Sequence, residues 1–213
     1  ISRMDSTIVQ HDEMVEEIGL GFRELETGHH SIRFPIKKGE PIKIKDHEGC
    51  LIAWQDMVGN HDDTSDNGGI LGFVFRKASD ASAAPVVVHV DHIGKDRGVR
   101  LGARIRSVDG VSVSSPEEVV EQLQSEDLRK RSHVTFSFAR THLEVTDVEP
   151  GSQAEKLHVE AGWTCHTVQH EEVSTRIAFD DIVQKAMQEQ AKRERASAGA
   201  HQESMKLLIT FYM

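Results

Sequence analysis

Three groups of residues have types and spacings that could do chemistry. Cys165-His166, with His170 four residues further on, offers thiolate and imidazole ligands of the kind zinc takes, and His29-His30 and His89-x-x-His92 offer imidazoles alone. A closed zinc site needs four ligands, and alternation along a strand sends Cys165 and His166 to opposite faces, so each set is incomplete. Asp62-Asp63-Thr64-Ser65-Asp66-Asn67-Gly68 has the composition of a calcium loop. It lacks glycine at the sixth position, and Phe73 stands where the bidentate glutamate belongs, so it reads as a solvated turn. The third group is backbone rather than side chain. Around Ile70-Leu71-Gly72-Phe73-Val74-Phe75, the N–H groups of Leu71, Gly72 and Phe73 could be aimed together at an anion.

A nucleophile elbow, a Gly-Lys-Ser/Thr phosphate loop and a His-Glu-x-x-His helix are all absent. The expectation is a protein without catalysis, metal or cofactor. Its 213 residues carry 25 Lys+Arg against 35 Asp+Glu, a formal charge of −10, which argues against nucleic acid or an anionic membrane as the main partner. Apolar runs such as Ile70–Phe75 and Met205–Met213 fall far short of the roughly 20 residues that span a bilayer. Two cysteines, Cys50 and Cys165, give no disulfide framework and point to a reducing, cytoplasmic setting. The chain opens on Ile1 and reads as a fragment of a longer one.

The elements that would position these residues recur. Leu101-Gly102-Ala103-Arg104-Ile105-Arg106-Ser107-Val108-Asp109-Gly110 aligns with Ala161-Gly162-Trp163-Thr164-Cys165-His166-Thr167-Val168-Gln169-His170, 60 residues later. Downstream, Pro116–Leu123 aligns with Phe179–Ala186 after a three-residue insertion, both with the apolar spacing of an amphipathic helix. Ser115 supplies an N-cap and Pro116 a first helical residue. Strands are expected at 86–90, 133–138, 143–148 and 206–211, a polar turn at 61–69, a loop at 78–85, and a helix running out into a loop over 190–204. Each copy is then a small α+β barrel or sandwich of fewer than about 100 residues.

The stretch 48–140 resembles a PDZ domain. Ile70–Phe75 is similar to that family's Gly-Leu-Gly-Phe carboxylate loop and the groove strand after it, with Ile70 in place of the first glycine. Leu101–Gly110 resembles its Gly-Asp-x-Ile-Leu-x-Val-Asn-Gly signature, with Ala103 for the aspartate, and a groove helix would begin at Pro116. The resemblance implies a tandem of two PDZ-like units, with residues 141–213 as the second. That copy lacks two opening strands. An intact Gly-Leu-Gly-Phe stands far upstream at Gly19-Leu20-Gly21-Phe22, so one reading has segment 1–47 fold onto the second copy, as in the permuted, paired PDZ units of Golgi reassembly stacking proteins. The other makes 1–47 a separate β-rich cap with strands at 31–36 and 41–45.

By the resemblance, the function is a non-catalytic interaction scaffold. An extended peptide would add as a strand between the groove strand and the helix, contacting Ile70, Leu71, Gly72, Phe73, Val74, Phe75, Pro116, Val120 and Leu123. A second groove would involve Leu20, Gly21, Phe22, Phe179 and Val183. The partner is a peptide with a hydrophobic terminal residue, basic or neutral rather than acidic, bound near micromolar affinity, and a homo-oligomer is an option. The alternatives are a structural block whose grooves are filled by its own segments, or the regulatory region of an HtrA-type serine protease.

Overall fold

A computed structural model describes residues 6–11, 18–55, 71–77, 84–196 and 205–212. In chain order the elements are β1 (Ser6–His11), β2 (Leu20–Pro35), β3 (Lys43–His47), β4 (Cys50–Trp54), β5 (Phe73–Lys77), β6 (Pro85–Val90), α1 (His92–Asp96), β7 (Ile105–Val108), β8 (Val111–Ser112), α2 (Pro116–Gln124), α3 (Glu126–Arg129), β9 (His133–Val148), α4 (Gln153–Lys156), β10 (Thr164–Val168), β11 (Glu171–Glu172), α5 (Arg176–Ala196) and β12 (Met205–Tyr212). The fold is α+β, its registered strand pairs are antiparallel, and its sheets are open paths rather than closed barrels. The residues form two compact units, 1–26 with 141–213 and 27–140. The expected turn at 61–69, Ile70 and most of the loop at 78–85 lie outside the described residues.

Unit 2, residues 27–140, has a four-stranded sheet in the order β3-β4-β5-β6 and a second layer in which β9 pairs with both β2 and β7. Between them lies a core built on Phe34, Phe73, Phe75, Phe136 and Phe138, all fully buried. The boundary falls after residue 26 rather than 47, because Ile32, Phe34, Ile36 and Ile42 bury their side chains in this core. Helix α2 starts as its sequence dictates. Ser115 Oγ accepts from the Glu118 N–H at 3.3 Å, and the Glu118 carboxylate accepts from the Ser114 N–H at 2.6 Å. Hydrogen bonds from the Ser114 N–H and then from the Ser114 hydroxyl, at 3.0 Å, hold the Glu118 carboxyl below its ordinary pKa.

Unit 1 runs β1-β12-β10-β9, with β11 on β10 and the start of β2 on β9. The first strand pairs the last, from Ser6 opposite Thr210 to His11 opposite Met205. Helix α5 begins at Arg176, 60 residues after Pro116, and not at Phe179. The three-residue insertion is therefore not needed: Thr175 caps α5 as Ser115 caps α2, and Phe179 N–H donates to Thr175 O as Val119 N–H does to Ser115 O. The helix continues to Ala196.

Hydrogen bonds recur between the units, their donors 60 residues apart. Gly102 N–H donates to Val87 O and Gly162 N–H to Val145 O, both at 2.8 Å, while Val113 to Arg106 (3.0 Å) is matched by Val173 to His166 (2.9 Å). Both copies turn through two residues in the left-handed region, Asp109 (φ 50°) and Gly110 (φ 82°) in one, Gln169 (φ 50°) and His170 (φ 67°) in the other. That geometry favours Asn-Gly. Replacing Gln169-His170 by Asn-Gly is expected to stabilise unit 1 by about 0.5–1 kcal/mol, since a side chain pays for the left-handed region and glycine does not. A urea midpoint that fails to rise would show the turn to be unstrained.

Candidate functional site: two strand–helix grooves

The described part of the stretch 70–75 leads into β5 at Phe73, and its frame is fixed by one hydrogen bond. Asp91 N–H donates to Gly72 O at 2.9 Å, and in the other unit Glu149 N–H donates to Gly19 O at 2.8 Å. Both glycines have positive φ, 75° and 67°. Gly72 thus corresponds to Gly19, the first glycine of Gly-Leu-Gly-Phe, and the matching residues in unit 2 are Gly72-Phe73-Val74-Phe75. The loop is shifted two residues downstream of Ile70-Leu71-Gly72-Phe73.

Leu71, Phe73, Phe75 and Leu123 are fully buried, Val74 and Pro116 are buried, and Val120 is half-buried on α2. The Asp91 carboxylate caps α1 through the Gly94 N–H at 2.9 Å, and a Cβ on Gly72 would lie 2.7 Å from its Oδ1. A negative group beside this loop opposes a second anion there. Strand β5 is also paired on both edges. β6 takes one, with Phe73 opposite Val90, and β4 takes the other, antiparallel, with Leu51 opposite Phe75 and Ile52 opposite Val74. The strand that fills this edge, β4, lies outside the strands expected from the sequence. Its signals were the Glu48-Gly49 turn, both residues at positive φ (54° and 78°), followed by the apolar run Cys50–Trp54.

In unit 1, the corresponding strand is Leu20–Glu26 of β2. β9 takes one edge, and among the described residues no other strand pairs with it. Phe22 meets Phe179 of α5 with ring centroids 4.8 Å apart. The Arg176 guanidinium lies over both rings, 5.5 and 5.6 Å from their centroids, and is held by Asp180 at 2.8 Å. The Glu24 carboxylate accepts from the Arg176 N–H at 2.8 Å, at the first turn of α5. Leu20, Gly21 and Phe22 are half-buried, and Phe179 and Val183 are buried. The arrangement is an apolar floor beneath a strand edge, with a cation and two carboxylates at one end.

Among the described residues, no group of three or more His, Cys, Asp or Glu side chains is placed to hold a metal. Cys165 is buried in β10, and burial pushes its thiol up to about 12. His166 packs on Tyr212, ring centroids 4.4 Å apart. No described helix is long and apolar enough to cross a membrane. No protein-family model matches the chain, and no curated protein matches it at significant similarity.

Proposed function

We propose that the chain is a non-catalytic, tandem PDZ-like interaction protein that binds peptides by strand addition, and that the competent groove is in unit 1. The observation that carries this reading is the difference between the two groove strands. β5 has registered partner strands on both edges, whereas among the described residues the strand carrying Leu20, Gly21 and Phe22 beside α5 has β9 alone. A peptide laid there would take main-chain hydrogen bonds from β2 and place one hydrophobic side chain against Leu20, Phe22, Phe179 and Val183.

Peptide libraries with free C-termini and with internal segments, titrated by fluorescence anisotropy, test this directly. Micromolar binders are expected, weakened at least tenfold by Phe22→Ala with the far-UV spectrum unchanged, and unaffected by Val120→Asp in unit 2. Loss of binding in Val120→Asp alone would place the site in the wrong unit. If no peptide binds, the second reading stands: a structural block of a larger assembly, which the doubly paired β5 favours.

A further inference from the structure

We infer that the β3–β4 hairpin is a removable cover on β5, a resident strand occupying a second strand-addition site in unit 2. An extended segment of the same chemistry would take its place: aliphatic residues opposite Phe75 and Val74, and a small one opposite Phe73. This rests on reading β5 as a groove strand, but its test is independent of peptide binding to unit 1.

The hairpin's main-chain pairing is self-contained, while its Ala53 enters the unit 2 core and Ile44 and Leu51 pack against it. β3 and β4 pair over five positions, from Lys43 opposite Trp54 to His47 opposite Cys50. The turn is closed by Asp46 Oδ1, which accepts from the Gly49 N–H at 2.9 Å. Across the hairpin, the Lys43 and Lys45 ammonium groups sit 4.9 and 5.0 Å from the Trp54 ring centroid. Its registered ladder to β5 covers only two positions, Leu51 with Phe75 and Ile52 with Val74. Continuing that register brings Ala53 to Phe73, and both are fully buried, so the position opposite Phe73 admits little more than a methyl group.

What seats the hairpin is a polar clasp. Gln55, 2% exposed, follows directly on β4. Its Oε1 accepts from the Lys37 N–H at 2.8 Å, and its Nε2 donates to Glu40 O at 3.0 Å and to Lys37 O at 3.3 Å. The turn that receives it is tied down in turn, Gly39 N–H donating to Arg129 O at 2.7 Å. One side chain therefore satisfies three main-chain groups, and losing it leaves the part-buried Lys37 N–H and the Lys37 and Glu40 carbonyls, in the turn before β3, without this partner.

Amide hydrogen exchange on the full chain tests the inference. In Gln55→Ala, amides of 50–54 and of Val74 and Phe75 are expected to exchange at least tenfold faster, with β7 and α2 unchanged. A synthetic peptide of residues 49–55, Gly-Cys-Leu-Ile-Ala-Trp-Gln, is expected to bind this variant and restore protection of β5, and not to bind the unaltered chain. The inference is overturned if β5 exchange rises only in step with β7 and α2, or if it does not rise, or if the peptide leaves it unchanged. Should Gln55→Ala not fold, the unaltered chain in low urea decides: a shared opening of 43–55 with 73–77 below the global free energy supports a cover, and a single opening of all strands overturns it.

Discussion

Replacing Gly72 by alanine is expected to destabilise unit 2 by about 2–5 kcal/mol, a large part of a typical domain stability. Two effects act together. The residue sits at φ 75°, where a side chain costs about 1–2 kcal/mol. A Cβ there would also fall on the Gly94 nitrogen and within 2.7 Å of the Asp91 carboxylate, so α1 must shift away from the loop, an overpacking term of about 1–3 kcal/mol. Gly94 faces the same constraint from the other side, since its own Cβ would meet Gly72 O. Gly98 separates the two contributions. It has φ 87° with nothing within 4 Å of the added carbon, so Gly98→Ala carries the conformational cost alone. Each unit holds one of the two tryptophans, Trp54 and Trp163, and urea unfolding followed by Trp54 fluorescence in a Trp163→Phe background reads unit 2 by itself. Equal losses for Gly72→Ala and Gly98→Ala would mean that the close approach of loop and helix contributes nothing.

Phe73→Ala is expected to cost about 3–5 kcal/mol in the same assay. Phe73 is where the two layers of unit 2 meet. Its ring stands edge-on to Phe136 and Phe138, at 5.4 and 5.6 Å, and lies 5.6 Å from Phe34 and 6.3 Å from Phe75. These neighbours come from β2, β5 and β9, so relaxation toward the void would have to move three strands at once, and the cavity term is large. Edge-to-face contacts add about 0.5–1.5 kcal/mol per pair beyond buried area. Phe73→Leu keeps most of the volume and should lose well under half as much. A loss below about 1.5 kcal/mol for the alanine variant would show that the layers collapse freely around the site.

The sequence carried the repeated half of the fold clearly and the strand edges poorly, and particular residues show why. The caps Ser115 and Thr175, and the bonds from Val113 to Arg106 and from Val173 to His166, join near neighbours in the chain, so spacing alone reveals them. Whether Gly72 answers to the first or the second glycine of Gly19-Leu20-Gly21-Phe22 depends on Asp91, a pairing partner set by the fold. The role of Cys50–Trp54 depends on which strand edge it meets, and a five-residue apolar run does not specify that. The division after Glu26 was hidden in the same way. β2 is continuous from Leu20 to Pro35, and only the destinations of its side chains, Phe22 onto Phe179 and Phe34 onto Phe73, separate its two ends.

The pairing of β1 with β12 has a consequence for how the chain is made. Synthesis runs from the N-terminus, and domains usually fold as they emerge. Residues 27–140 can close their core once Arg140 has left the ribosome, whereas Ser6–His11 must wait for Met205–Tyr212, almost the full length of the chain later. Throughout that interval β1 is an unpaired strand on a growing polypeptide, open to the wrong neighbour. Unit 1 is thus the late-maturing unit, and the stretch from Thr141 to Tyr212 sets how long β1 stays without its partner strand.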